Sequence, residues 1–371
     1  MKWINILLLA LLLSSLSLYA QLLYTPCVAY RVDKVWYVAD ETGKVLYQSS
    51  VLLDVEAYSE GLLSGYAFQG KDVISIYYNN NGKIELATPS KKAFKFSNNR
   101  TFIAIDTGKH ERKPEPIYGI INRNGDYITP IQWLEISEYS DGLAYLMNLD
   151  KRGVIDTNGN FLFLLDSAIA VYGFREGLSA VSDAKLDRFG YIDKTGKLVI
   201  DYIFFEAGVF SEGLARVYMA NKSTGRGGFG FINKNGKLVI DNFFDETRIF
   251  KEGYNFVAIY SMDDVLRWGV IDKDGSVKAD FNFYACKDFS ESMAAVQELN
   301  DTLWHYIDNI TFNQVGKKYK YCGSFKNGKA FVIDTEDRKY FIDKSGNISF
   351  ELPQNADIVF DCRTNEKYGK Y

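Results

Sequence analysis

Histidine and cysteine are the scarce reactive residues of this 371-residue chain, with two and four copies. His110 lies in the polar stretch Lys109-His-Glu-Arg-Lys-Pro114, where solvation is expected. His305 follows Trp304 at a place where related segments put glycine, so a structural substitution is expected there. Two isolated histidines without Cys or His neighbours make no zinc site. They also supply no Ser-His-Asp or Cys-His unit. The glycines form neither a P-loop nor a dinucleotide fingerprint. Acids recur along the chain, and Asp272-Lys-Asp-Gly275 faintly resembles a calcium loop, but Lys or Arg follows the first acid in most copies and no bidentate Glu closes the loop. Glycoside hydrolysis needs two carboxylates at a fixed separation of ~5–9.5 Å, and repetition supplies many acids while singling out none. The glutamates of the recurring Ser-Glu-Gly (Glu60, Glu176, Glu212, Glu252) are expected to stabilise their turns or face water. No catalytic, cofactor-binding or metal-binding residue is assigned, no cofactor is implied, and an enzyme is not expected.

Cys286 and Cys322 each lie three residues before a recurring Phe, at Phe289 and Phe325. The same position holds Ala93, Ile136, Val171, Ala207 and Thr247 elsewhere, so it favours small or apolar residues. Two readings stand: buried thiols filling a core slot, or a disulfide stapling neighbouring segments, which needs Cα atoms within ~7 Å. Cys27 and Cys362 lie at opposite ends of the chain, and their pairing would require it to close on itself. The 26 Tyr, 26 Phe and 5 Trp mostly follow the repeat, which points to core packing. Tyr77-Tyr78 and the Tyr319 and Tyr321 of Lys317-Lys-Tyr-Lys-Tyr321 fall outside it, and these four are the candidates for surface aromatic contacts with sugar rings or a protein partner.

What positions all these residues is a repeat. A turn glycine recurs at Gly43, Gly82, Gly125, Gly159, Gly196, Gly236, Gly275 and Gly346, at intervals of 34 to 43 residues and one double interval of 71 with a non-glycine near Ile310. That is nine copies of about 39 residues. A second ruler, Gly61, Gly142, Gly177, Gly213, Gly253 and Gly328 with Asn99 and Ser292 in degenerate copies, follows the first by 17 or 18 residues wherever both can be placed. A constant inner spacing within a variable period means a rigid unit stacked many times. Each unit reads as short strands: Phe189-Gly-Tyr-Ile-Asp193 and Lys197-Leu-Val-Ile200 flank a Gly-containing turn, a hairpin signal. The Asp or Asn before each turn (Asp156, Asp193, Asn233, Asp272, Asp343) is placed to hydrogen-bond the turn backbone.

The segments Trp268-Gly-Val-Ile-Asp-Lys-Asp-Gly275 and Phe189-Gly-Tyr-Ile-Asp-Lys-Thr-Gly196, with the repeated Phe-Ser-Glu-Gly-Leu-Ala, resemble the WG (KWG) repeat family of bacterial proteins. The resemblance spans roughly residues 35–363. The defining Trp-Gly pair survives only at Trp268-Gly269, with Phe-Gly, Tyr-Gly or Arg-Gly elsewhere. The resemblance implies an all-β repeat architecture, no single activity and no catalytic residues.

The expected fold is therefore all-β, a tandem array of about nine units over residues 21–371, open and curved or superhelical; the alternative is a closed, propeller-like ring. The ends bear on that choice. The last copy stops after Phe360 without its following strand, and Cys27-Val-Ala-Tyr-Arg-Val32 is a strand without a first half. Propellers have ~4–8 blades, fewer than nine, which favours the open form. Residues 1–20 read as a signal peptide: Lys2, an apolar run from Ile4 to Leu13, and Ala20 before a cut at Gln21. No later segment is apolar enough to span a bilayer, so the expected location is periplasmic, cell-surface or secreted. A net charge of −4 without a basic tract argues against nucleic acid. The expected function is a non-catalytic protein-interaction scaffold, with envelope polysaccharide as the alternative partner and an extracytoplasmic hydrolase as the least favoured reading.

Overall fold

The computed structural model describes residues 25–106, 116–166, 169–220 and 225–369. The leader reading of residues 1–20 and His110 lie outside them. Every regular element among the described residues is a strand, and all pairing is antiparallel. The strands form nine units: unit 1 (residues 52–88), unit 2 (93–133), unit 3 (135–164), unit 4 (169–204), unit 5 (206–244), unit 6 (246–283), unit 7 (283–319), unit 8 (321–351), and unit 9, built from residues 358–369 and 28–49. Units 6 and 7 share the long strand Val277–Cys286 and so form one seven-stranded sheet.

The turns follow from local chemistry. In unit 4, the Asp193 Oδ1 accepts the Thr195 and Lys197 amides at 2.8 and 3.1 Å, and Gly196 takes φ +85°. Asp156, Asn233, Asp272 and Asp343 do the same in their units. In the copy without glycine, Phe312 adopts φ +58° instead. The second turn places two consecutive residues in the left-handed region, as at Glu176 (φ 53°) and Gly177 (φ 87°), which is the two-residue hairpin turn that matches strand twist. Asn99 and Ser292 take that conformation in the degenerate copies.

Units stack through apolar faces, since each sheet buries both sides. The recurring Phe of one unit packs edge-on against an aromatic ring in the third strand of the unit before: Phe96 on Tyr77, Phe210 on Tyr191, Phe250 on Phe231 and Phe325 on Tyr306, with centroids 4.8 to 5.2 Å apart. Such pairs add about 0.5–1.5 kcal/mol to area burial. Where that partner is Tyr, its hydroxyl donates to the next unit's backbone, as from Tyr191 to the Gly208 carbonyl at 2.8 Å and from Tyr306 to Gly323 at 2.7 Å.

The two chain ends meet. Residues Val28 to Arg31 pair antiparallel with Asp361 to Ile358, so both ends share one sheet. Unit 9 packs on unit 8 through Val28, Tyr30 and Val359 against Phe331, Ile333 and Phe341. Its other side, with Ala29, Trp36 and Phe360, packs on Leu52, Val55 and Leu63 of unit 1. The remaining buried clusters lie one between each unit and the next. Nine units with nine such interfaces make a ring, because an open stack of nine would have one fewer. No sheet closes on itself; what closes is the series of sheets. The tandem β-repeat architecture is as expected, and of the two arrangements of its ends, the shared terminal sheet is the one the ring requires.

Candidate functional site

The repeated motif residues converge on one face of the ring, where the two kinds of turn lie side by side. There the Ser-Glu-Gly glutamate reaches the next unit. Glu176 accepts the Gly213 amide at 3.1 Å, Glu212 accepts that of Gly253 at 2.9 Å, and Glu291 accepts those of Asn327 and Gly328. Asp141 holds Gly177 at 2.7 Å and Glu60 holds Asn99 at 2.9 Å. The serine beside it donates across the same junction, from Ser59 to Phe96, Ser140 to Phe174, Ser211 to Phe250 and Ser290 to Phe325 carbonyls. The lysine after the hairpin Asp reaches back, pairing Lys234 with Glu176 at 3.1 Å, Lys273 with Glu212 at 3.7 Å and Lys344 with Glu291 at 3.6 Å. Burial opposes the charge of Glu176 and Glu291, yet the lysine and the turn amides hold both below the usual carboxylate range. The sequence reading of these glutamates as turn-stabilising or solvated is corrected: they latch unit to unit. The complementary lysine series was visible in the sequence, but its partner lies 53 to 61 residues away and one unit over.

A cavity of about 860 Å³ lies against units 1 to 4, with Asn365 of unit 9 at its wall. Glu56, Glu135 and Tyr172 line it from the first strands of units 1, 3 and 4, with Lys92 and Phe94 from the segment that leads into the strands of unit 2. Burial raises the Glu56 pKa, with Lys367 opposing. The C-terminal strand Glu366–Gly369 lies inside the first strand of unit 9. Its Glu366 accepts from Lys287 at 3.0 Å and from the Ser324 hydroxyl at 2.6 Å, and Lys367 pairs with Asp54 at 2.7 Å. These bonds tie the strand to units 7, 8 and 1. Burial works against the Glu366 charge, but Lys287 and Ser324 keep it below the usual range.

The opposite face is different in kind. It carries the loops between second and third strands and the ends of the outer strands. Exposed apolar side chains stand there from unit 3 to unit 7: Leu149, Leu186, Phe205, Phe243, Met262 and Tyr284, between 43% and fully exposed. Arg188 stacks its guanidinium over the Phe205 ring at 4.1 Å.

The four aromatic residues predicted as surface contacts are not there. Tyr77 is fully buried and bonds the Phe94 carbonyl at 3.0 Å. Tyr78 is buried against Tyr47, and Tyr319 is buried in the core between units 7 and 8. Tyr321 is half-buried at the inner edge, under Lys287 and bonded to Glu366. They fell off the glycine ruler because Tyr77 is the third-strand interface aromatic and the rest fill neighbouring cores. Of the two readings of Cys286 and Cys322, the structure has the buried thiols: both are free and lie in different cores on either side of unit 7. His305 is 1% exposed, and burial pushes its pKa down. Asp272 spends its carboxylate on the Asp274 and Ser276 amides and on Lys278 at 2.8 Å. Among the described residues no group of three His, Cys, Asp or Glu is placed to hold a metal.

The architecture defines a β-repeat ring, and the comparisons agree in kind. The model of the WG containing repeat matches residues 118–151, 189–222, 229–264 and 268–301, so the chain carries WG repeats at four places. No curated protein is a detectable relative. The crystal structure of a eukaryotic initiation factor is similar at TM-score 0.63 and 11% identity, over 93% of this chain and 97% of that one. BamB from Moraxella catarrhalis gives TM-score 0.37 and 9% identity over 81% and 87% of the two chains, too low to carry an argument. The neighbour at TM-score 0.63 is β-propeller-like, and its likeness shows the fold alone. Repeat and fold fit a protein without catalytic activity.

Proposed function

We propose that this chain is an exported, non-catalytic scaffold that holds a protein partner on the face opposite the latches. The observation that carries the reading is the recurrence of exposed apolar side chains on that face, Leu149, Leu186, Phe205, Phe243, Met262 and Tyr284, across units 3 to 7. Large apolar side chains left exposed on the same face of successive units offer a partner an apolar surface to cover. Its mixture of aliphatic and aromatic side chains suits a protein better than a sugar, which is gripped by flat aromatic rings. The other face is already committed to holding the ring together. Export rests on the apolar leader of residues 1–20 and leads to the periplasm, the cell surface or the medium.

The test is mild crosslinking of the tagged full chain in its native host, followed by mass spectrometry, beside the double variant Phe205→Asp/Phe243→Asp. A stoichiometric protein that disappears with the variant, whose circular dichroism stays unchanged, is the expected result. Recovery of envelope polysaccharide with no protein above background would overturn it. That outcome would favour the glycan reading and move the site to the cavity against units 1 to 4, which exposed Tyr172 and half-buried Phe94 line together with Glu56 and Glu135.

A further inference from the structure

In unit 5 the turn Phe210-Ser-Glu-Gly213 joins first strand to second, and Ser211 bridges to Leu214 across it. Unit 9 keeps the equivalent bridge, Asp361 opposite Val28, but there the chain is cut. The two turn positions, held in unit 5 by Glu212 and Gly213, are held here by Cys362 on one side of the cut and Cys27 on the other. A cysteine thus stands on each cut end where every other unit has a peptide link. The Cys362 amide donates to the Cys27 carbonyl at 3.0 Å. The two residues stand one position beyond the last strand pair, Val28 opposite Asp361, and a disulfide needs their Cα atoms ~4.4–6.8 Å apart. Both residues are buried, at 2% and 1% exposure.

We propose that Cys27 and Cys362 form a disulfide that covalently completes unit 9 and locks the ring. Both are thiols in this structure, Cys27 packed toward unit 8 and Cys362 toward unit 1, so bond formation needs the Cys27 segment, backbone included, to turn toward Cys362. The two thiols give up two protons and two electrons to a disulfide-bearing oxidant. One thiolate attacks a sulfur of that oxidant to form a mixed disulfide, and the second displaces it as a dithiol. Burial raises the Cys27 thiol to about 12, and Cys362 also lies well above its ordinary range. Thiolate is therefore scarce in the packed ring, and the exchange belongs to the stage of folding when the ends have met but unit 9 is not yet packed. The closed loop holds nearly the whole chain, where constraint of the unfolded state is greatest.

The bond goes beyond the partner-binding reading, and its test does not depend on export or partner. The full chain is refolded in a glutathione redox buffer, alkylated under denaturing, non-reducing conditions and mapped by mass spectrometry. The expected product is one linked peptide pair containing Cys27 and Cys362, with Cys286 and Cys322 alkylated. Reductant is expected to lower the wild-type melting temperature by several degrees and to leave a Cys27→Ser/Cys362→Ser variant unmoved. Alkylation of all four cysteines, or a Cys286–Cys322 link, would overturn the proposal. The mapping needs no variant, so it stands even if the double substitution folds poorly.

Discussion

The acids that looked most like chemistry turn out to be joints between units. Glu176 and Glu291 each exchange solvent for backbone amides and a lysine of neighbouring units, and their pKa values are lowered. A carboxylate depressed in the folded state stabilises above its unfolded pKa, near 4.3, and that contribution is lost as pH falls through the folded value. The ring is therefore expected to lose urea resistance below about pH 4.5. A Glu176→Gln/Glu291→Gln variant should be weaker by roughly 1 kcal/mol per latch at pH 7, the scale of one hydrogen bond to a charged group at a partly exposed site. It should also show a shallower fall toward pH 3. Urea midpoints between pH 3 and 7 give both numbers, and a pH slope identical to wild type would remove the latches as the source of acid sensitivity. The Glu and Lys series were both legible as residues. Their pairing was not, because it links different units and local spacing carries no sign of it.

At the scale of the element, the strand-turn-strand unit was almost fully readable. Asx-bonded turns, left-handed glycines and the constant gap between rulers are local properties, and local properties survive into the fold. The glycine of the Trp-Gly pair is the exception, since its place was visible but its reason was not. At Gly190 a Cβ would lie 2.6 Å from the Ile200 carbonyl oxygen and 3.0 Å from the Asp201 carbonyl carbon, because the outer strand bulges against it. At Gly177 a Cβ would meet nothing within 4 Å, and only its φ of +87° resists substitution. Gly190→Ala must push backbone away and should cost about 2–3 kcal/mol, against about 1 kcal/mol for Gly177→Ala. Denaturant midpoints of the two variants decide it; equal losses would mean that the outer strand yields freely. The surface aromatics failed for a related reason. A residue off the glycine ruler still sits on a strand, and whether that strand face is covered depends on the neighbouring unit.

The whole molecule depends on a closure that only the two chain ends could hint at. The half-unit at Cys27–Val32 and the truncated copy at Phe360 are complementary, and Val28 to Arg31 do pair with Ile358 to Asp361. The variable period and the number of copies pointed the other way, since nine units exceed the ~4–8 blades of common propellers. The angle from one unit to the next belongs to the interface, where rings such as Phe210 and Tyr191 meet, and not to the pattern within one unit. Closure also changes how the molecule responds to losing a part. In an open stack each unit leans only on its neighbours, so removing one leaves the rest nearly as stable. In a ring, removal of residues 197–236, one full period, leaves eight units whose interfaces are set for nine, and unit 9 loses either its terminal pairing or its contact with unit 1 or 8. That deletion is expected to unfold globally or to melt far below wild type by circular dichroism, where an open array would keep most of its strand signal. A deletion that stays folded with an unchanged, single cooperative transition would mean that the pairing of the two ends adds little, and that the array holds itself together unit by unit.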